Sequence, residues 1–143
     1  MTSLAERFAA AAEALEGTIF RLHGRDPANG IDCIGLVGAA LEACGQRALY
    51  PSGYKLRNRS IETWLGFAEA NRLVAAASTI ERGDVVLIRP GPGQHHLLVA
   101  LGCGRFAHAH AGLRRVVVQH LDIPRRHLAH WRLSPEPEAI WQP

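Results

Sequence analysis

Apolar positions follow two different periods along this chain, a helical one in its first half and a strand-like one in its second. An alanine-rich stretch from Ser3 to Glu16 predicts an amphipathic helix, with Ser3 and Glu6 placed as a capping box and Gly17 as its stop. Residues 17–32 are rich in Gly, Asp, Pro and Asn and predict a loop. From Cys33 onward, Leu36, Val37, Ala40, Leu41 and Cys44 recur on one helical face, which predicts a second amphipathic helix ending near Gly45. Gln46 to Arg59 is a long polar connection, in which Tyr50 and Tyr54 stand either against a cleft or exposed in the loop. A third helix is predicted over Ser60 to Ala70, packing Ile61, Trp64, Leu65 and Ala68.

Strands are predicted from there on. Asp84 to Ile88 is an apolar run entered through Gly83 and ended by the turn cluster Arg89-Pro90-Gly91-Pro92-Gly93-Gln94. Residues 95–110 hold two apolar runs around Gly102-Cys103-Gly104, the pattern of a β-hairpin. Leu113 to His120 and Leu128 to Leu133 complete the set, and the proline-bearing tail from Ser134 reads as irregular. Helices first and an antiparallel sheet after predict an α+β architecture, with one domain over residues 1–133 and a tail over 134–143. Packing the second helix on the sheet would carry Cys33 to the strands that hold the histidines.

Composition narrows the function classes. Of the 143 residues, 48% are hydrophobic and the mean hydropathy is −0.02, which suits a folded core. The net charge of +3 and pI of 9.1 come mostly from arginine; they favour an anionic partner only weakly, since a solvated arginine-rich surface accounts for them. The chain has no Lys/Arg block with interleaved stacking aromatics, which argues against nucleic acid. No run of ~20 apolar residues is present to span a membrane. Glu6, Glu13 and Glu16 break the pattern of a signal peptide, so cytoplasmic synthesis without one is expected. The three cysteines, Cys33, Cys44 and Cys103, are an odd number and make no disulfide framework; Cys44 belongs to the core and Cys103 to an exposed turn.

The chemistry concentrates on Cys33 and the hairpin. A thiol in the first turn of a helix faces unpaired N–H groups and the positive end of the dipole, which lower its pKa from about 8.5. Such a sulfur becomes a nucleophile when a base stands beside it. If the hairpin centres on Gly102, His96 lies opposite His108 and both point to one face of the sheet. One imidazole then takes the thiol proton and the other holds it in the right tautomer, so His96 is assigned as base and His108 as the orienting residue, with His110 in reserve. His95 is expected to face away, and His95, His120, His127 and His130 to serve surface or ordinary packing roles. A metal held by His95, His96, His108 and His110 is the sharper competitor, but no Cys-x-x-Cys or His-Glu-x-x-His spacing supports it, and no metal or other cofactor is expected. Asp32 divides evenly between helix N-cap and a role in orienting the loop or binding a substrate amine.

The ordered set Gly17-Thr18, Asp32-Cys33-Ile34-Gly35-Leu36-Val37, Gly83-Asp84-Val85-Val86, His96-Leu97-Leu98-Val99-Ala100-Leu101-Gly102 and Phe106-Ala107-His108-Ala109 resembles the NlpC family of papain-like cell-wall cysteine peptidases over roughly residues 5 to 132. The resemblance implies a papain-like fold with the nucleophile at a helix start, and cleavage of a peptidoglycan stem peptide, commonly at the link between D-γ-glutamyl and a diamino acid. It implies Cys33 as nucleophile, His96 as base and His108 as orienting residue. Two positions depart from the family: Phe20 stands where a tyrosine hydroxyl often approaches the nucleophile, and Ile34 where a serine linked to recognition of the substrate's free amine is common. Asp32, Phe20 and Ile34 are expected to contact substrate, with the contacts at Phe20 and Ile34 altered from those of the family. The isoleucine looks more like the phage-tail and gene-transfer-agent branch, which implies phage-like tail proteins as partners, possession of a route out of the cytoplasm, and, as an alternative, a catalytically degenerate structural or binding component of a tail. A thiol acyltransferase or amidase on another substrate is the enzymatic alternative.

Overall fold

Ser3 caps the first helix as its sequence predicts, its side chain accepting the Glu6 backbone N–H at 3.1 Å. The computed structural model describes residues 2–51, 61–91, 94–123 and 127–134. Tyr54, the turn residues Pro92 and Gly93, and the tail from residue 135 lie outside the described residues. Helix α1 spans Leu4–Glu13 and buries Phe8, Ala9 and Ala12. It stops short of Glu16 because Leu15 and Glu16 bond three residues back, to Ala12 and Glu13, and Gly17 gives its N–H to Val116 at 2.8 Å.

The following segment is more ordered than the loop its composition predicts. Arg25–Asp26 (β1) and Gly30–Ile31 (β2) pair as a small antiparallel ribbon, turned by Asp26, whose carboxylate accepts the Ala28 N–H at 3.0 Å. The ribbon lies over helix α2, Cys33–Ala43, where a Cβ on Gly35 would collide with the Gly24 carbonyl oxygen. Gly38 gives the same close approach to the Tyr50 ring. Every residue of α2 from Cys33 to Leu41 is buried, so this helix is enclosed on all sides rather than amphipathic. Helix α3, Glu62–Ala70, packs Trp64, Phe67 and Ala68. Ile61 and Leu65, expected on that face, are exposed, because the buried stripe runs through 64, 67 and 68 instead.

One antiparallel sheet follows, from Leu73–Ala75 (β3), Val85–Ile88 (β4), His96–Gly102 (β5), Arg105–His110 (β6), Arg115–His120 (β7) and His127–Leu133 (β8), in the order β3-β8-β4-β5-β6-β7. Strand β3 was not legible as a strand; it is three residues at the sheet edge, with two of them exposed. The helices cover the face formed by Val85, Leu87, Leu97, Val99, Leu101 and Ala107. The opposite face carries its own apolar cluster of Val86, Ile88, Leu98, Ala100, Phe106 and Ile123. The fold is thus the expected α+β arrangement of N-terminal helices on an antiparallel sheet.

Two polar groups of the sheet are structural. Asp84 is fully buried at the entrance to β4, accepts the Glu81 N–H at 2.8 Å and pairs with Arg132 of β8 at 3.0 Å. His127 and His130, expected in ordinary packing roles, bond to each other on β8 (Nε2 to Nδ1, 2.8 Å).

Candidate active site

The hairpin register brings the two central histidines together by a different pairing from the one expected. Val99 faces Ala107 and Ala100 faces Phe106, with an irregularity before Gly102↔Arg105. Continued along the strands, this register sets His108 opposite Leu98 and diagonal to His96. The pairing is displaced by two residues, not one, so the alternation of side chains is kept and both rings stay on one face. His96 Nε2 and His108 Nδ1 are 2.9 Å apart, with ring centroids at 5.0 Å in an edge-to-face arrangement.

The far nitrogen of His108 meets Gln119 of β7, Nε2 to Oε1 at 2.8 Å. This contact fixes the protons of both rings. An amide oxygen only accepts, so His108 Nε2 carries hydrogen and its Nδ1 is the acceptor. His96 Nε2 must then be the donor to His108. The remaining nitrogen of His96, Nδ1, is left with a lone pair and no hydrogen. Gln119 escaped the sequence reading because a lone polar residue after Val116-Val117-Val118 reads as a solvent-facing strand position. Its signal was parity: two residues from Val117, which pairs with His108, it shares His108's face.

Cys33 occupies the first position of α2, 8% exposed, with Asp32 as N-cap. The backbone N–H of Leu97, the amide directly after His96, favours the Cys33 thiolate, as do the N–H groups of Ile34 and Cys33 itself. The sulfur therefore sits against β5 at its first residues. His96 opens that strand, and Cys33 and His96 line the same cavity of about 520 Å³ together with His108, His110 and Gln119.

The thiol is not acidified, contrary to the helix-start expectation. Burial, and then the neighbouring Asp32 carboxylate, push it up to about 12, outweighing the three N–H groups. Burial and the charges of His108 and His110 hold His96 down at about 3. His108 is also lowered, chiefly by burial, with Gln119 opposing. The resting pair is thus a neutral thiol beside a neutral imidazole.

These depressed histidines set the acid limb of stability. Each binds a proton more readily unfolded, near 6.5, than folded. The contribution is fully present above that unfolded value and is lost as pH falls from about 6.5 toward 3. Thermal melts from pH 7 to pH 4 should show Tm falling by on the order of 5 °C or more, and replacing both His96 and His108 by Asn should flatten that slope.

Asp32 is committed within the protein. Its carboxylate accepts N–H groups of His23 (2.8 Å) and Gly35 (2.8 Å) and pairs with Arg25 at 3.1 Å, so it caps the helix and anchors the loop. Arg25 in turn lies over the Tyr50 ring at 4.7 Å, and Tyr50 is absent from the cavity wall. Phe20 and Asp32 line the cavity. Ile34 does not: its side chain is fully buried in the core beneath α2, where helix periodicity turns it away from the cavity, so the expected substrate contact there is corrected. His95 takes the ordinary packing role expected of it, 5% exposed with its ring 6.4 Å from Trp64, and also lines the cavity. Among the described residues no group of three or more His, Cys, Asp or Glu side chains is arranged to hold a metal ion.

The NlpC/P60 family pattern matches residues 17–132. The chain belongs to the NlpC/P60 family. Solved structures agree on the fold: NlpC2 from Trichomonas vaginalis is 18% identical with a TM-score of 0.68, over 92% of this chain and 47% of that one. An NlpC/P60 family protein from Bacillus cereus ATCC 10987 is 18% identical with a TM-score of 0.67, over 94% and 42%. The peptidoglycan hydrolase RipB from Mycobacterium tuberculosis is 25% identical with a TM-score of 0.62, over 91% and 64%. This NlpC/P60 chain spans less than half the length of the first two of these. None of the curated proteins matches it.

Proposed function

We propose that this NlpC/P60 chain is a cysteine peptidase that cleaves an amide bond of peptidoglycan stem peptides, of the D-γ-glutamyl-diamino acid type, through Cys33, His96 and His108. The observation that carries the reading is the relay Gln119–His108–His96, which leaves His96 Nδ1 with a lone pair in the cavity that Cys33 also lines. RipB, a peptidoglycan hydrolase by name, supports the substrate class.

In this mechanism Cys33 Sγ attacks the amide carbonyl carbon while its proton passes to His96 Nδ1. Moving the proton in step with bond formation avoids a lone buried thiolate, which the thiol's raised pKa makes costly. The Cys33 backbone N–H at the start of α2 receives the developing oxyanion, a contribution of about 3 kcal/mol for a well-placed donor. His96 returns its proton to the leaving nitrogen as the C–N bond breaks, giving a thioester. Water, deprotonated by His96, then opens the thioester and restores the thiol. His108 bears on the imidazolium through His96 Nε2.

Incubation with a defined stem tetrapeptide, read by mass spectrometry, tests the reading. Two fragments whose masses sum to substrate plus water are expected. A product carrying the acyl half on an added amine would identify an acyltransferase instead. No product at all would favour a binding component, the reading that the raised thiol pKa favours. A phage-like tail setting rests on Ile34 alone and predicts cosedimentation with tail particles.

A further inference from the structure

His110 is one of two imidazoles in the cavity wall, with His95, that the relay does not use. Its ring centroid lies 5.5 Å from that of His108, and it is half-buried at the end of β6. Its Nδ1 accepts the Leu113 backbone N–H at 3.0 Å. That bond fixes the tautomer: hydrogen resides on Nε2, which becomes a donor. The turn that supplies the N–H is itself held, by Arg114 N–H to the Ala111 carbonyl at 3.2 Å and by a left-handed Arg114 (φ 59°). Gly112 closes over the ring, where a Cβ would come within 3.1 Å of Cε1. No acceptor among the described residues meets Nε2.

The charge of the wall says what the donor suits. The acidic side chain lining the cavity is Asp32, already paired with Arg25 and two backbone N–H groups. The other polar groups on the wall include four imidazoles, His95, His96, His108 and His110. An anion entering this cavity meets the His110 Nε2–H and, among the described lining residues, no unpaired carboxylate. We propose that His110 is a specificity residue whose Nε2–H, positioned by the Ala111–Arg114 turn, receives a carboxylate of the substrate close to the scissile amide. The proposal deepens the peptidase reading but concerns binding, and its test does not depend on turnover.

The test is calorimetric binding to the full chain carrying Cys33→Ala. The probes are an N-acetylated peptide with a γ-linked D-glutamyl residue, its α-carboxylate free or amidated. The free acid should bind about tenfold tighter, as one hydrogen bond to a charged group gives. Adding His110→Phe, which keeps a ring and removes the donor, should weaken the free acid about tenfold and shift the amide less than twofold. His110→Gln, which retains an N–H, should recover part of the preference. Equal affinity for acid and amide in the His110 protein, an equal loss of both in His110→Phe, or no binding of either peptide would overturn the proposal. If His110→Phe fails to fold, as judged by its melt, the acid-against-amide comparison in the His110 protein and in His110→Gln decides. Failure of the unsubstituted chain to hydrolyse peptides would instead count against the peptidase reading and leaves this measurement intact.

Discussion

Cys33→Ala is expected to lower stem-peptide hydrolysis by ~10⁴-fold or more while leaving the melting curve near that of the parent chain. The sulfur is the only protein atom in the proposed sequence that bonds to substrate carbon, and loss of a covalent nucleophile leaves only binding and oxyanion stabilisation. The substitution removes one buried atom at the first turn of α2, where the Asp32 cap to the Gly35 N–H and the Arg25 pair stay in place. A folded Cys33→Ala protein with parental turnover would remove the thiol from the mechanism. Because Cys33 is 8% exposed and its pKa is raised, small alkylating reagents should react with it slowly at pH 7 and prefer the exposed Cys103.

The second large effect belongs to His108. Replacing it by Ala should lower kcat by roughly 10²–10⁴-fold, with KM changed far less, because a base in the wrong tautomer loses function even when its geometry survives. Without His108 Nδ1 as acceptor, His96 is free to place its proton on Nδ1, the atom that must take the thiol proton. The nascent imidazolium also loses its partner at Nε2. Gln119→Leu should reproduce this in weaker form, since His108 would lose the acceptor that sets its own tautomer. Steady-state kinetics on the folded variants check both. A His108→Ala protein with unchanged kcat would mean that His96 needs no orienting residue.

The hairpin was legible in the sequence because two apolar runs flank the Gly102-Cys103-Gly104 turn, whereas β3 was not. The exact register was not, because the turn centres between Cys103 and Gly104, where Gly102 faces Arg105, and the irregularity between Ala100 and Gly102 then shifts the pairing back by one residue, a net displacement of two. The candidate site survived that displacement only because an even slip preserves which face a side chain takes. Helix α2 was legible as a helix, but its enclosure was not. Local sequence does not show that α1 and the β1–β2 ribbon would pack against it, nor that burial and the Asp32 charge would raise the Cys33 thiol against the helix-start effect. The choice between His108 and His110 as partner of His96 likewise needed coordinates: both share a face, and only His108 comes within hydrogen-bonding distance. Ile34 misled because a residue adjacent in sequence to a nucleophile need not share its direction on a helix.

The most direct test of the central claim is to quench the enzyme with acid during turnover of a stem peptide and weigh the intact protein. The account predicts an adduct equal in mass to the acyl half of the substrate, mapped by digestion to the peptide containing Cys33 and released by hydroxylamine. Turnover at the full rate with no adduct on Cys33, or with the acyl group bound elsewhere, under conditions where the second step is slowed by low temperature, would contradict it.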